Sequence, residues 1–223
     1  LLDLLIPCLG YYISDRLENN DWAQFHKEFK EKILDIKKND DTAIKKCGDQ
    51  VLKIIDHNNY YKYLSSSIIC TVPSHDSEKI DTGISEFANY LALNSNNNFI
   101  YEENLLKRIK TIRKSSTAGY DRPKIEDHLE SIEINVPLTK EYYEENISNK
   151  IEGKNILLID DIKTTGTTLD ACTKKLSKYK PNKIIIMCLA ETIQASDGND
   201  VKEKKQDQYY KEKIQKLNNI KLK

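Results

Sequence analysis

Asp160 and Asp161 stand side by side at the end of the apolar run Ile156-Leu157-Leu158-Ile159, and the segment Lys163-Thr164-Thr165-Gly166-Thr167-Thr168 follows almost at once. An apolar run of that length predicts a buried strand. TTLDACTKKLSKY (167–179) predicts a helix, with Leu169, Cys172, Leu176 and Tyr179 on one stripe and Pro181 beyond its end. A loop that opens a helix presents unpaired backbone N–H groups at the positive end of the helix dipole. Threonine hydroxyls add donors, and glycine lets the backbone curl around an anion. The segment is therefore a candidate cradle for one phosphate. It is not a P-loop, since the spaced glycines and the Gly-Lys-Ser/Thr ending are missing. The two carboxylates would repel a phosphate but suit neighbouring hydroxyls. A phosphate beside a vicinal diol describes a ribose 5-phosphate. The plainer alternative, threonines that cap a helix, needs one hydroxyl rather than four.

The elements that must position these residues follow from the rest of the chain. Residues 1–64 read as a helical extension. Trp22, Phe25, Phe29, Ile33 and Ile36 recur at helical spacing, as do Ile44, Cys47, Val51 and Ile54 after the Asn39-Asp40-Asp41 break, with Asp41 as the expected cap. From Ser66 the pattern changes. SSIICTVPS predicts a strand ending at Pro73, and IDTGISEFANYLAL a helix with Ile84, Phe87 and Leu91 on one face. FIYEENLL, SIEINVPL, KNILLIDDI and KIIIMCLAE are further strand candidates. Apolar strands alternating with helices predict an α/β fold, a mostly parallel sheet flanked by helices, over 65–195. Ligands of such sheets collect at the carboxyl ends of strands, where Asp160 and Asp161 are expected. Residues 196–223 read as a lysine-rich helix or tail, with eight lysines from Lys202 to Lys223.

Lysine plus arginine and aspartate plus glutamate both total 35 in 223 residues, so net charge gives no reason to expect nucleic acid. No apolar stretch is long enough to span a bilayer. The opening LLDLLIPCLG carries Asp3 and Pro7 without a basic leader, so a signal peptide is not expected. Cys8, Cys47, Cys70, Cys172 and Cys188 are scattered, with no C-x-x-C pair. Reduced thiols in a cytoplasmic protein are expected, not a disulfide framework or a zinc site.

ILLIDDIKTTGTT closely resembles the phosphoribosyl pyrophosphate (PRPP) motif of the type I phosphoribosyltransferases. Lys163 departs from that pattern, which often has an apolar or aromatic residue there. The wider chain, from about Ser66 to Thr192, is most similar to the ComF family. TVPSHDSEKIDTGISEFANYLA resembles that family's Val-Pro-x-His segment and following helix, and RIKTIRKSSTAGYDRP its Arg/Thr-rich loop. The zinc-binding cysteine module often found before the core in that family has no counterpart in the first sixty residues, where two helices are predicted.

The resemblance implies a type I phosphoribosyltransferase-like fold and transfer of a phosphoribosyl group between PRPP and a nitrogenous acceptor, with release of pyrophosphate. Asp160 and Asp161 would hold the ribose hydroxyls and favour an oxocarbenium-like state. Lys163, Thr164, Thr165, Gly166, Thr167 and Thr168 would hold the 5-phosphate. Ser74 and His75, in the turn after the first core strand, would meet the pyrophosphate. Arg113 and Lys114, in a basic run with Lys107, Arg108 and Lys110, would reach it from a mobile loop. Mg²⁺ is expected on the pyrophosphate, needing no direct protein ligand, with Asp160 and Asp161 the candidates for one. Asp76 and Glu78 are out of place in a turn that the family tends to make basic. A non-catalytic sensor of PRPP or a nucleotide, acting on a partner protein or second copy through the N-terminal helices, is the competing expectation. A receiver domain with an acidic pocket would need its acid pair on the first strand, and here the pair comes late. No base-recognition element is legible; Tyr60, Tyr61 and Tyr63 could stack on a base, although tyrosines beside a core usually pack.

Overall fold

The computed structural model describes residues 4–6, 10–13, 23–57, 60–79, 82–96, 98–114, 121–135 and 150–193. The lysine-rich segment 196–223, Cys8 and Trp22 lie outside them. The elements run β1 (Leu4–Ile6), β2 (Gly10–Ile13), α1 (Ala23–Lys37), α2 (Asp41–His57), α3 (Tyr61–Leu64), β3 (Ser67–Thr71), α4 (Thr82–Asn94), β4 (Phe99–Tyr101) and β5 (Leu106–Arg108). They continue with α5 (Ile125–Ser131), β6 (Ile132–Ile134), β7 (Asn155–Lys163), α6 (Thr167–Ser177) and β8 (Lys183–Ile193).

A six-stranded sheet takes the order β1-β8-β7-β3-β4, with β2 also pairing to β8. The pairs β1–β8, β8–β7, β7–β3 and β3–β4 are all parallel, as continuous apolar strands require when both faces are covered. β5 and β6 form a separate antiparallel ribbon, Arg108 opposite Ile132. FIYEENLL thus divides between the two sheets, because Asn104 takes a left-handed turn (φ 57°) between its halves.

The two-residue period of the strands sorts the core into two layers. Leu157 and Ile159 of β7 join Ile33, Ile36, Val51, Ile55, Phe87 and Leu91 under α1, α2 and α4. Ile156 and Leu158 join Leu169, Cys172 and Leu176 of α6, with Leu106, Ile132 and Ile134 of the ribbon. The N-terminal helices therefore share a core layer with the sheet. The N-terminal segment also carries strands: Leu4–Ile6, read in sequence only as a greasy opening, pairs with Ile185–Met187. Long-range parallel pairing of that kind leaves no local mark in three residues.

Two close approaches set where the helices lie. A Cβ on Gly48 would fall 2.3 Å from the Tyr90 ring, so glycine lets α2 and α4 meet, and the Tyr90 hydroxyl then donates to Asp49 (2.6 Å). A Cβ on Gly83 would fall 2.0 Å from the Ile36 carbonyl oxygen, so α4 abuts the last turn of α1. α1 stops at Asn39, whose φ of 64° is the left-handed ending asparagine tolerates. The cap of α2 is Asp40 rather than the expected Asp41: Asp40 Oδ1 accepts the Ala43 N–H (2.7 Å) and Asp41 is the first helical residue. Ile55, not Ile54, completes the buried stripe.

Candidate functional site

β3, β7 and β8 are parallel neighbours, so their carboxyl ends open on one edge. Thr71 lies opposite Ile159, Asp160 opposite Cys188, and the Val72 N–H donates to the Ile159 carbonyl (2.9 Å). The acid pair and the turn after β3 therefore sit on adjacent strand ends, as the sequence predicts. β7 runs on to Lys163, past the acids, which are the sixth and seventh of its nine residues.

At the acid pair the aspartates bind their own backbone. The Asp161 N–H donates to Asp160 Oδ1 (2.9 Å) and the Ile162 N–H to Asp161 Oδ1 (2.5 Å). The strict alternation ends here, since Ile162 packs in the same layer as Ile159. Burial, then the neighbouring Asp161 charge, push the Asp160 carboxyl well above the usual carboxylate range, against the opposing pull of Lys37. Asp160 also faces Cys172 closely enough to help, after burial and Cys70, to push that thiol upwards. Asp161 turns to the other layer, where its Oδ2 forms an ion pair with Lys37, the last residue of α1. Lys37 is a site residue that the sequence reading misses.

The threonine loop is compact. Gly166 takes φ 84°, ψ −3° at the N-cap of α6, and no side chain caps the helix there. The Thr165 and Thr167 hydroxyls lie 2.9 Å apart, and Thr164 meets Thr192 of β8 at 3.3 Å. Thr168 follows Thr167 in the first turn of the helix. Lys163 closes the strand, with Nζ 3.5 Å from Glu191 and Cε 3.6 Å from where a Gly166 Cβ would stand. Half-buried Thr164, Thr167 and Thr168, exposed Thr165, a left-handed glycine and an uncapped helix start thus follow directly on two carboxylates.

The turn after β3 is differently built. Three of its N–H groups are engaged by side chains: Asp76 N–H on Ser74 Oγ (3.3 Å), Ser77 N–H on Thr111 Oγ1 (3.0 Å) and Glu78 N–H on Asp76 Oδ1 (3.0 Å). Thr111 also donates to Asp76 Oδ1 (3.2 Å), and the Ile112 N–H to the His75 carbonyl (3.0 Å). The turn is thus laced to the segment after β5. His75 is held below its ordinary pKa by burial, then by Lys114, with Asp76 opposing, so it leans neutral and Lys114 is near it. Arg113 pairs with Asp121 (3.0 Å), both exposed, rather than with the turn.

Two groups from the sequence reading take other roles. Arg108, counted in the basic run, is buried; its Nε donates to the Ser74 carbonyl (2.8 Å) and its NH1 to Ser131 Oγ (2.6 Å). The tyrosines lie at the opposite end of the sheet. Tyr61 packs near Phe99, the first residue of β4 (ring centroids 6.1 Å apart). The Tyr63 carbonyl accepts from Asn155, the first of β7, and its ring lies under Lys183, the first of β8. Tyr60 packs against the α1–α2 layer, so these side chains serve the core.

Residues 111–221 match the family model described as the phosphoribosyl transferase domain. That span makes up just under half of the chain. The chain's mostly parallel sheet flanked by helices has the type I phosphoribosyltransferase fold. The acid pair and threonine loop fall inside the matched span of the domain; the turn at Ser74 and His75 precedes it. Solved structures similar to this chain include a hypoxanthine phosphoribosyltransferase from Staphylococcus aureus (19% identity, 67% of this chain and 71% of that chain, TM-score 0.37). Others are a hypoxanthine-guanine phosphoribosyltransferase from Bacillus anthracis (13%, 72% and 77%, TM-score 0.40) and a hypoxanthine phosphoribosyl transferase from Trypanosoma cruzi (14%, 68% and 75%, TM-score 0.39). No curated protein matches the sequence. Among the described residues no helix is long and apolar enough to cross a membrane, and no group of three or more His, Cys, Asp or Glu could hold a metal ion.

Proposed function

We propose that the phosphoribosyl transferase domain binds PRPP at the carboxyl ends of β3 and β7 and exchanges its phosphoribosyl group with a nitrogenous acceptor, releasing pyrophosphate. The observation that carries this is the threonine loop, with Gly166 left-handed at the start of α6 and the acid pair next to it. Lys163 and Thr164 to Thr168 would hold the 5-phosphate. Asp160 and Asp161 would accept from the ribose hydroxyls, and their charge favours the cation that develops as the C1–oxygen bond breaks. Enclosure by the loop around Arg113 and Lys114 would exclude water and bring cations to the leaving group.

The donor set suits a magnesium ion carried by phosphate oxygens. Asp160 Oδ1 is engaged by the Asp161 N–H and Asp161 is ion-paired with Lys37, so neither is a ready direct ligand, and a phosphate-bound Mg²⁺ keeps most of its waters. That ion would supply charge neutralisation on the leaving group. The likeness to the ComF family, in 71–92 and 108–123 as well as the motif, is proposed on those residues alone. A cytoplasmic setting agrees with Cys47, Cys70, Cys172 and Cys188 being free thiols.

One observation favours the sensor as a second reading. The turn proposed for pyrophosphate has the Asp76, Ser77 and Glu78 N–H groups engaged and carries two acids, Asp76 and Glu78, while the Arg108 guanidinium is committed to the Ser74 carbonyl and Ser131. A domain that gripped ribose 5-phosphate but not pyrophosphate would bind nucleotides without turnover. A partner would then meet the outward faces of α1 and α2, since their apolar stripes are buried. The division at residue 64 and the separate tail 196–223 belong to that proposal. Incubation with PRPP, Mg²⁺ and a panel of nucleobases tests both: pyrophosphate release supports transfer, and tight nucleotide binding without release supports the sensor. Calorimetry showing neither PRPP nor nucleotide binding at millimolar ligand would remove both.

A further inference from the structure

α1 ends at the acid pair, and its end is held in place. The Asn39 N–H donates to the Ile36 carbonyl (2.9 Å) as the chain turns, Asp40 starts α2 immediately, and Gly83 of α4 lies against that same carbonyl. Lys37 therefore comes to Asp161 from a braced helix terminus, at 36% side-chain exposure against 16% for Asp161. Both Asp161 oxygens are engaged, Oδ1 by the Ile162 N–H and Oδ2 by Lys37. Asp160 Oδ1 accepts the Asp161 N–H, and burial biases that carboxyl to its neutral form. A ligand diol in search of acceptors finds the Asp161 carboxylate already occupied by an ammonium. A charged donor on a part-buried carboxylate outcompetes a neutral hydroxyl.

We propose that Lys37 is a positioning residue of the phosphoribosyl site: it holds Asp161 towards α1, and ribose hydroxyls bind by displacing it, so the N-terminal helices set the affinity of the site for ribose. The inference rests on the proposed role of the acid pair as ribose acceptors. It separates the two halves of the ligand. The diol must compete with Lys37, whereas a phosphate in the threonine loop does not. Gly83 belongs to the same device, because a side chain there would push the end of α1 away from the acids.

Calorimetry with ribose 5-phosphate, and separately with inorganic phosphate as a probe of the threonine loop, tests this on wild type, Lys37→Met and Lys37→Arg. Lys37→Met should bind ribose 5-phosphate about five- to tenfold more tightly, the scale of one charge-assisted hydrogen bond. Its affinity for inorganic phosphate should stay within about twofold. Lys37→Arg should restore the wild-type difference. Unchanged or weaker ribose 5-phosphate binding by Lys37→Met would overturn the proposal. So would a purely structural role, which lowers the melting temperature without separating the two probes. If wild type binds neither probe, the phosphoribosyl reading itself fails and this inference with it; if wild type binds and Lys37→Met matches it, only the inference fails.

Discussion

Arg108 donates through Nε to the carbonyl of Ser74, 2.8 Å away, and so fastens the antiparallel ribbon to the turn that ends β3. The guanidinium is buried, and burial draws its pKa downwards, a sign of a charge kept from water for a structural purpose.

Arg108→Met should therefore cost stability. It removes the bonds to Ser74 and Ser131 and leaves the Ser74 carbonyl without that donor. A loss of about 2–4 kcal/mol in chemical denaturation is expected, the range for breaking a buried charged hydrogen-bond network. Denaturation midpoints of the variant and wild type check this. A change below about 0.5 kcal/mol would place Arg108 with ordinary surface lysines.

His128 sits in the same region, 2% exposed, and burial, then Arg108, lower its pKa to about 4, with Asp127 opposing. The folded pKa is thus below the ordinary 6.5. The unfolded chain takes up this proton first as pH falls, so stability from neutral His128 is present above about 6.5 and is lost between there and about 4. His128→Leu should flatten that part of the curve. Denaturation midpoints at several pH values across the window measure it; an unchanged slope in the variant would show that other groups set the acid limit.

The sequence exposes β7, α6 and β8 because continuous apolar strands and a 3.6-residue stripe are local signals. It exposes the threonine loop for the same reason: Gly166 and its neighbours announce a turn into a helix. Lys37 carries no such signal. A lysine that ends an amphipathic helix looks like any solvated lysine, and its place beside Asp161 follows from tertiary packing of the end of α1 against the sheet and α4. Arg108 is hidden likewise, since a basic run in sequence says nothing of which member is buried. The closed turn at Asp76 was more accessible. Ser74 and Asp76 each accept the N–H two residues on, a pattern that Ser and Asp in turns often adopt.

Gly166→Val should abolish phosphate binding and leave the sheet intact. At φ 84° a β-branched residue is strained by roughly 1–3 kcal/mol, and relief requires the loop to turn its N–H groups away from the cradle. Far-ultraviolet circular dichroism should be unchanged while ribose 5-phosphate binding falls at least about tenfold. A folded variant that binds as tightly as wild type would mean that the phosphate sits elsewhere.

The two aspartates should respond differently to amidation. Asp160 titrates above its ordinary 3.8 because the folded protein disfavours its charge. The proton is held more tightly folded than unfolded, so the penalty is nil below about 3.8 and grows as pH rises through the shifted value. Asp160→Asn removes that penalty and should melt higher than wild type at neutral pH, a pattern typical of a functional group kept at some cost in stability. Asp161→Asn instead weakens the pair with Lys37. That pair is partly exposed, so the variant should lie within about 1 kcal/mol of wild type or slightly below it. Function should divide on another line. If the carboxylates stabilise an oxocarbenium-like state, both variants lose turnover more than PRPP affinity; if they only grip ribose, affinity falls and turnover at saturation holds. In a sensor there is no turnover to lose, and only affinity changes. Melting temperature, PRPP affinity and pyrophosphate release measured on the two variants distinguish these outcomes. Asp160→Asn melting lower than wild type would show that the buried carboxyl is a net structural asset, and three unchanged quantities in both variants would remove the acid pair from the site.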